Sequence, residues 1–231
     1  MTTTDNEQSS RGEEGLHRVA RAHMARVSTA AGLPEPAVLL VPTLGSGSPA
    51  ANAKFTTLRG VPTIKITEAA VRDLPSSALE FLLAHEFWHS ANNSWWKRRV
   101  WLYVLGIGLG VILLLGGIIM GATAESFNTS PAAGYITSGF GAIITVRGFF
   151  GYFADSRAEE IRADLFAARH HGHPEGAESL FAAWDDDKPE DELSSAGRRW
   201  RLLVRNHPYR ATRLDAIRTE LTHRHLERGV R

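Results

Sequence analysis

The chain contains no cysteine among its 231 residues. Disulfides and thiolate zinc sites are thereby excluded, and any tightly held metal must use histidine and carboxylate ligands. The lack of cysteine fits a reducing compartment. Neither sign of charge is in excess: 26 basic residues against 25 acidic ones leave a net charge of +1. That balance gives no electrostatic case for a nucleic-acid partner. The stretch from Met1 to Ser10 holds no apolar run, so no secretory signal peptide is expected there. From Val100 to Ala124 the missing feature is charge itself, for the run contains no Asp, Glu, Lys or Arg.

What is present begins with a histidine pair. Ala84-His85-Glu86-Phe87-Trp88-His89 reads H-E-x-x-H. On a helix, residues four apart project from one face, so His85 and His89 can share a tetrahedral metal. Glu86 lies beside them, where a carboxylate can take a proton from water activated by the ion. A helix is expected here. Pro75 precedes it, Ser77 and Glu80 match the S-x-x-E capping box, and Leu79, Leu82, Leu83 and Phe87 recur at helical spacing. A pair of solvated histidines on a surface helix is the competing reading.

Before the motif, residues 1–15 are polar and are expected to form a disordered tail. Leu16, Val19, Ala20, His23 and Val27 predict an amphipathic helix to Ala31, ended by Gly32 and Pro34. Its interspersed arginines suit a solvated face or a membrane surface. Ala37–Val41 is a short apolar run between prolines and predicts a strand. Two more strands are expected around Asn52–Phe55 and Val61–Ile66, with Arg59-Gly60 turning between them. A short helix over Thr67–Arg72 leads into the motif helix.

After the motif, Lys97-Arg98-Arg99 precedes the uncharged run. At about 1.5 Å rise per residue, that run can cross a hydrocarbon core of roughly 30 Å. Trp95, Trp96, Trp101 and Tyr103 crowd its start, as interfacial aromatics do. Glu125–Pro131 is a polar turn. Ala132–Val146, Arg147 and Gly148–Ala154 make a weaker second apolar segment, read as a second span, with a re-entrant or protein-packed helix as its rival. Basic residues flank both outer ends and are missing from the turn, which places both ends in the cytoplasm. Beyond lies a strongly helical segment, Asp155–Arg169, ended by Arg169-His170-His171-Gly172-His173-Pro174, whose Gly and Pro favour an exposed C-terminal cap over a metal site on its three histidines. A short helix over Gly176–Trp184, an acidic loop over Asp185–Ser195 and a helix over Ala196–Arg205 follow. Asn206-His207-Pro208 breaks the pattern before a last helix from Tyr209 to about Arg228.

Taken together, these stretches resemble the M48 family of integral-membrane metallopeptidases, which includes HtpX-like heat-shock proteases and CAAX prenyl endopeptidases. The resemblance rests on His85-Glu86-x-x-His89 and the hydrophobic hairpin directly after it. It rests also on Ser156-Arg157-x-x-Glu160-x-x-Ala163-Asp164, and on His207-Pro208 followed by Arg213. Asn52-Ala53 is similar to the family's N-A segment on the strand beside the cleft. The likeness runs from about Leu16 to Leu221. Two departures stand out: Trp88 occupies a place where these proteins often have Gly, and the spans that precede the motif in HtpX-like members are missing.

The resemblance implies a mostly helical α+β fold: a gluzincin-type metallopeptidase domain with a small antiparallel sheet and an inserted hydrophobic helical hairpin. The domain would run over 16–94 and 154–231, interrupted by a transmembrane hairpin over 95–153. It implies one Zn²⁺ per chain, held by His85, His89 and Glu160, with Glu86 as general base and His207 as oxyanion donor. Asp164 and Arg213 would order the site, and Asn52 and Ala53 would meet the substrate. A His₂Glu set needs a carboxylate from a second helix, which Glu160 can supply; its neighbour Glu159 points about 100° away. Tyr209 is a second possible oxyanion donor on its chemistry.

The function expected is a membrane-anchored zinc endopeptidase that cuts protein substrates at the cytoplasmic face, in protein quality control. It would sit as a two-span protein in the cell membrane, with the lipid bilayer as its other partner. The alternative is an inactive membrane-anchored adaptor that binds protein partners without cutting. Processing of lipid-modified C-termini would need an intramembrane chamber, which two spans cannot enclose.

Overall fold

A computed structural model describes residues 3–45, 50–184 and 204–229. In chain order these form α1 (Thr3–Ala31), β1 (Ala37–Val41), β2 (Ala53–Leu58), β3 (Val61–Thr67) and α2 (Glu68–Asp73). Then come α3 (Ser76–Thr123), a 3₁₀ turn (Ala124–Phe127), α4 (Ala132–His171), α5 (Glu175–Ala183) and α6 (Arg210–Gly229). The acidic loop expected over 185–195, and the helix expected over 196–205 up to residue 203, lie outside the described residues. By internal contacts the chain divides into two units. One is Met1–Asn93 with Glu159–Glu192 and Pro208–Arg231; the other is Ser94–Ala158 with Leu193–His207.

The first unit holds the core. Met24 and Val27 of α1, Ile64 and Ile66 of β3, Phe81, Leu82, Leu83 and Phe87 of α3, Leu180 of α5 and Ile217 of α6 are all buried within it. Helix α1 starts at Thr3, so the stretch expected as a disordered tail is helical from there. No proline interrupts 3–31, and Gly12 and Gly15 weaken a helix without breaking it. The helix stops where Gly32 takes a φ of +65°, and the N–H groups of Gly32 and Leu33 close on the carbonyls of Thr29 and Ser28.

The sheet has the order β1-β3-β2 and is mixed. Strands β2 and β3 form an antiparallel hairpin through Arg59 and Gly60, both at positive φ, the geometry of a tight hairpin turn. Strand β1 runs parallel to β3, with Val38 opposite Ile64. The expected antiparallel sheet is corrected to that extent: the long 42–52 connection returns the chain to the far edge instead of beside β1. Thr67 then caps α2 through its side chain, which accepts from the Ala70 N–H.

Helix α3 begins at Ser76, with Leu79 N–H on the Pro75 carbonyl. The Ser77–Glu80 capping box does not form, because Ser77 already lies inside the helix. Glu80 instead faces His23 and Arg26 of α1 and His170 of α4, at 3.5–3.6 Å.

In the second unit, α3 and α4 run on without a break as an antiparallel pair. Glycines set their closeness. A Cβ on Gly141 would sit 2.3 Å from Leu114 N, one on Gly134 would sit 2.4 Å from Gly121 N, and one on Gly117 would sit 2.5 Å from Gly134 O. Gly134, Gly141 and Gly148 recur every seven residues and put one bare stripe of α4 against α3, the small-residue packing used where helices meet without water. The outer faces are apolar: Leu102 and Ile112 are each 68 % exposed. One helix among the described residues, over 76–127, is long and apolar enough to cross a membrane. Only 11 % of its apolar stretch is buried, unlike the core helix of a soluble protein. Helix α4 falls short of that measure, since Thr137, Ser138, Thr145 and Arg147 interrupt its apolar stretch.

Gly141→Leu should therefore force the pair apart and lower the thermal stability of the detergent-solubilised protein by roughly 1–3 kcal/mol. Gly139→Leu, whose Cβ meets nothing within 4 Å, should not. Equal effects would place the seam elsewhere.

Candidate active site

Helix α3 brings His85 and His89 to one face, and α4 brings Glu160 opposite them. His85 Nε2 lies 3.2 Å from His89 Nε2. Glu160 places Oε2 at 3.6 Å from His85 Nε2 and Oε1 at 3.4 Å from His89 Nε2. The three ligand atoms fall within 4.8 Å of one another, and among the described residues this is the group so arranged. Tetrahedral ligands at the usual zinc distances of about 2.0–2.1 Å lie about 3.3–3.4 Å apart, so the donors fit a zinc ion in both type and spacing.

Behind this group stands a buried ion network. His85 Nδ1 meets Asp164 Oδ1 at 2.9 Å, which leaves Nε2 for the metal position. Arg213 of α6 donates to both Asp164 oxygens, from Nε at 2.6 Å and from Nη2 at 2.7 Å, and its guanidinium lies 4.4 Å above the Phe181 ring. Asp164 is 0 % exposed. Burial alone would raise its pKa; the Arg213 charge and hydrogen bonds outweigh that and hold the carboxyl below its ordinary value. Burial disfavours the His85 imidazolium, but Asp164 and Glu160 together push its pKa up to about 10. A metal must displace that proton, so uptake is coupled to proton release.

Glu86 turns the other way, toward the sheet. Its Oε2 accepts the Phe55 N–H of β2 at 2.6 Å. Burial raises its pKa, against the charges of His85 and His89, the direction that suits a general base. Nothing in the residue pattern marks Phe55, because a backbone donor leaves no trace in sequence. Asn52 lies at the start of the same edge strand. Its main chain is tied to Thr67, and its Oδ1 accepts the Ala53 N–H at 2.8 Å. Ala53 is buried.

Glu159, the neighbour that competes with Glu160 on sequence, is occupied elsewhere. Its Oε1 accepts the Trp88 indole N–H at 2.8 Å and its Oε2 accepts from Arg162 at 3.1 Å. Trp88 also packs on Phe166, with ring centroids 5.5 Å apart. His207 is exposed on the turn before α6, and Tyr209 is half-buried at the helix entrance.

A base beside two imidazoles and a carboxylate is a site built for metal-assisted hydrolysis. The model of peptidase family M48 matches residues 13–221, and the chain belongs to that family. Comparisons with curated proteins and with solved structures give no match. M48 peptidases are in general zinc-dependent metallopeptidases acting on proteins or peptides.

If the group holds zinc, His85→Ala, His89→Ala and Glu160→Ala should each lose stoichiometric metal on purification, read by elemental analysis. Glu159→Ala should keep it, and the opposite pattern for the two glutamates would reassign the third ligand.

Proposed function

We propose that the protein is a zinc endopeptidase anchored in the cell membrane, which hydrolyses protein substrates at the cytoplasmic face in protein quality control. The observation that carries this reading is the convergence of His85, His89 and Glu160 with Glu86 at the open edge of β2. In this reading His85, His89 and Glu160 hold one Zn²⁺, which supplies Lewis acidity toward water and the scissile carbonyl. Glu86 takes the proton of the attacking water on its carboxylate and passes it to the leaving amine. Asp164, clamped by Arg213, keeps the His85 ring turned with Nε2 forward.

Strand β2 is the sheet edge farthest from β1, and an extended peptide would add alongside Ala53–Leu58. Main-chain bonds would then give affinity with little sequence preference. A substrate strand there passes next to Glu86, since the Phe55 N–H already reaches that carboxylate. Asn52 and Ala53 would border the chain at one end. His207 would donate to the oxyanion, with Tyr209 as the other candidate.

The hairpin over 95–153 would be the anchor between peptidase segments 16–94 and 154–231. Its exposed apolar faces support this, as does an end rich in Trp95, Trp96, Tyr103 and Tyr152. The basic residues outside the hairpin support a cytoplasmic catalytic domain.

The test is cleavage of a casein-type substrate alongside metal analysis. Glu86→Gln should retain metal and lose cleavage, because the base is not a ligand. Retained cleavage would remove the mechanism, and wild type that binds zinc but cuts nothing would point to the adaptor reading. In the same assay His207→Ala should lower kcat by roughly 10²–10³ with metal content and KM nearly unchanged. An unaltered kcat would shift the oxyanion role to Tyr209.

A further inference from the structure

The hairpin carries a feature that peptide hydrolysis does not use. An open groove of about 930 Å³ runs along α3 and α4, lined among others by Leu102, Tyr103, Gly106, Ile143, Arg147 and Phe150. Along α4 it extends from Ala142 to Ala154, twelve residues or about 18 Å at 1.5 Å each. That length matches one leaflet of a hydrocarbon core roughly 30 Å thick. Its walls are apolar apart from the Tyr103 hydroxyl and one cation.

That cation is Arg147. It is exposed, and among the described residues it has neither a hydrogen bond nor an ion pair. Two other arginines of this unit, Arg99 and Arg157, are engaged within the protein. Arg99 is paired with Asp155, which also accepts the Tyr103 hydroxyl, and Arg99 lies 4.6 Å over the Trp95 ring. Arg157 donates to the Arg205 carbonyl. Arg147 lies eight residues inward from Asp155 on α4, about 12 Å, within an otherwise uncharged stretch. An arginine at that depth extends toward the headgroup level and needs an anion there.

We propose that this groove is a binding site for an anionic phospholipid, with one acyl chain along the groove and the phosphate on Arg147. Charge complementarity selects the lipid class. A zwitterionic lipid brings its own cation to the headgroup, whereas a lipid of net charge −1 matches a guanidinium that no carboxylate among the described residues neutralises. Gly106 forms part of the floor: a Cβ there meets nothing within 4 Å, so the space stays open for the chain. The proposal rests on the reading of the hairpin as membrane-embedded.

The test uses full-length protein reconstituted in vesicles. Flotation with the vesicles is scored first. Photoreactive phosphatidylglycerol and phosphatidylcholine with the same diazirine-bearing acyl chain are then compared. Phosphatidylglycerol should label peptides containing 102–106 and 142–154 more strongly. Arg147→Gln should lower that yield roughly five-fold, toward the phosphatidylcholine level, as loss of one cation's attraction predicts. Gly106→Leu should lower labelling by both lipids while helix content stays unchanged. Equal labelling by the two lipids, or an unaffected Arg147→Gln yield in protein that floats, overturns the lipid site and leaves the anchor intact. Chain-to-chain cross-links from the groove would give it to a second copy and overturn the proposal as well. Protein that does not float removes the membrane reading and the lipid site with it.

Discussion

The candidate metal-binding face depends on one buried carboxylate. Asp164 has no solvent contact; the Arg213 guanidinium holds both its oxygens, and the His85 imidazole shares Oδ1. These three residues come from three helices and are separated by 79 and 49 positions in the chain. A lone charge in such a place would be expelled or neutralised; it persists because two cationic partners satisfy it with good geometry. Breaking such a network by deleting one partner typically costs about 3–5 kcal/mol, since the remaining charge stays buried and unpaired. The same contacts turn His85 so that its other nitrogen faces His89 and Glu160. Stability of the unit and aim of the ligand are therefore one interaction with two consequences.

Long helices serve this arrangement by being uninterrupted. Helix α3 has 48 residues, with both histidines in its first four turns, and α4 has 40, with Glu160 and Asp164 near its C-terminal end. Ligands on helical rods have their mutual spacing set by hydrogen-bonded backbone, which holds side chains more rigidly than loops do. The base is set differently. Glu86 shares α3 with the histidines but aims at β2, so its position depends on the sheet edge as well as on the helix. Coupling the base to the strand keeps the proton acceptor next to the edge where an added strand would lie.

Much of this was legible in residue spacing. The four-residue offset of His85 and His89, the helical spacing of Leu79, Leu82, Leu83 and Phe87 around them, and the uncharged run from Val100 all carry periodicity or composition that a single sequence displays. The choice of Glu160 over Glu159 was not decidable from the helix alone; it leaned on the spacing to Ala163-Asp164, and the Trp88 and Arg162 contacts now account for Glu159. Lys97-Arg98-Arg99 marks a change of composition, yet α3 runs through it because none of those residues breaks a helix. The parallel placement of β1 could not be read, since strand direction is decided by the path of the connecting chain and leaves alternation unchanged. The glycines at 134, 141 and 148 did display a seven-residue period, but their meaning appears only when the facing glycines of α3 are brought opposite.

Trp88 illustrates how a bulky residue inside the motif is absorbed. An indole here adds bulk directly beside His89, and such bulk is destabilising unless space and polar partners exist. Both exist here. The ring lies against Phe166, and the indole N–H finds the Glu159 carboxylate. Glu159 in turn is buried and would be costly as a charge, but Trp88 and Arg162 each satisfy one of its oxygens. Tryptophan and glutamate thus each remove the penalty the other would incur. The pair ties α3 to α4 one residue away from His89 on one helix and from Glu160 on the other. The indole is, in its tertiary setting, a second clamp on the two helices that carry His85, His89 and Glu160.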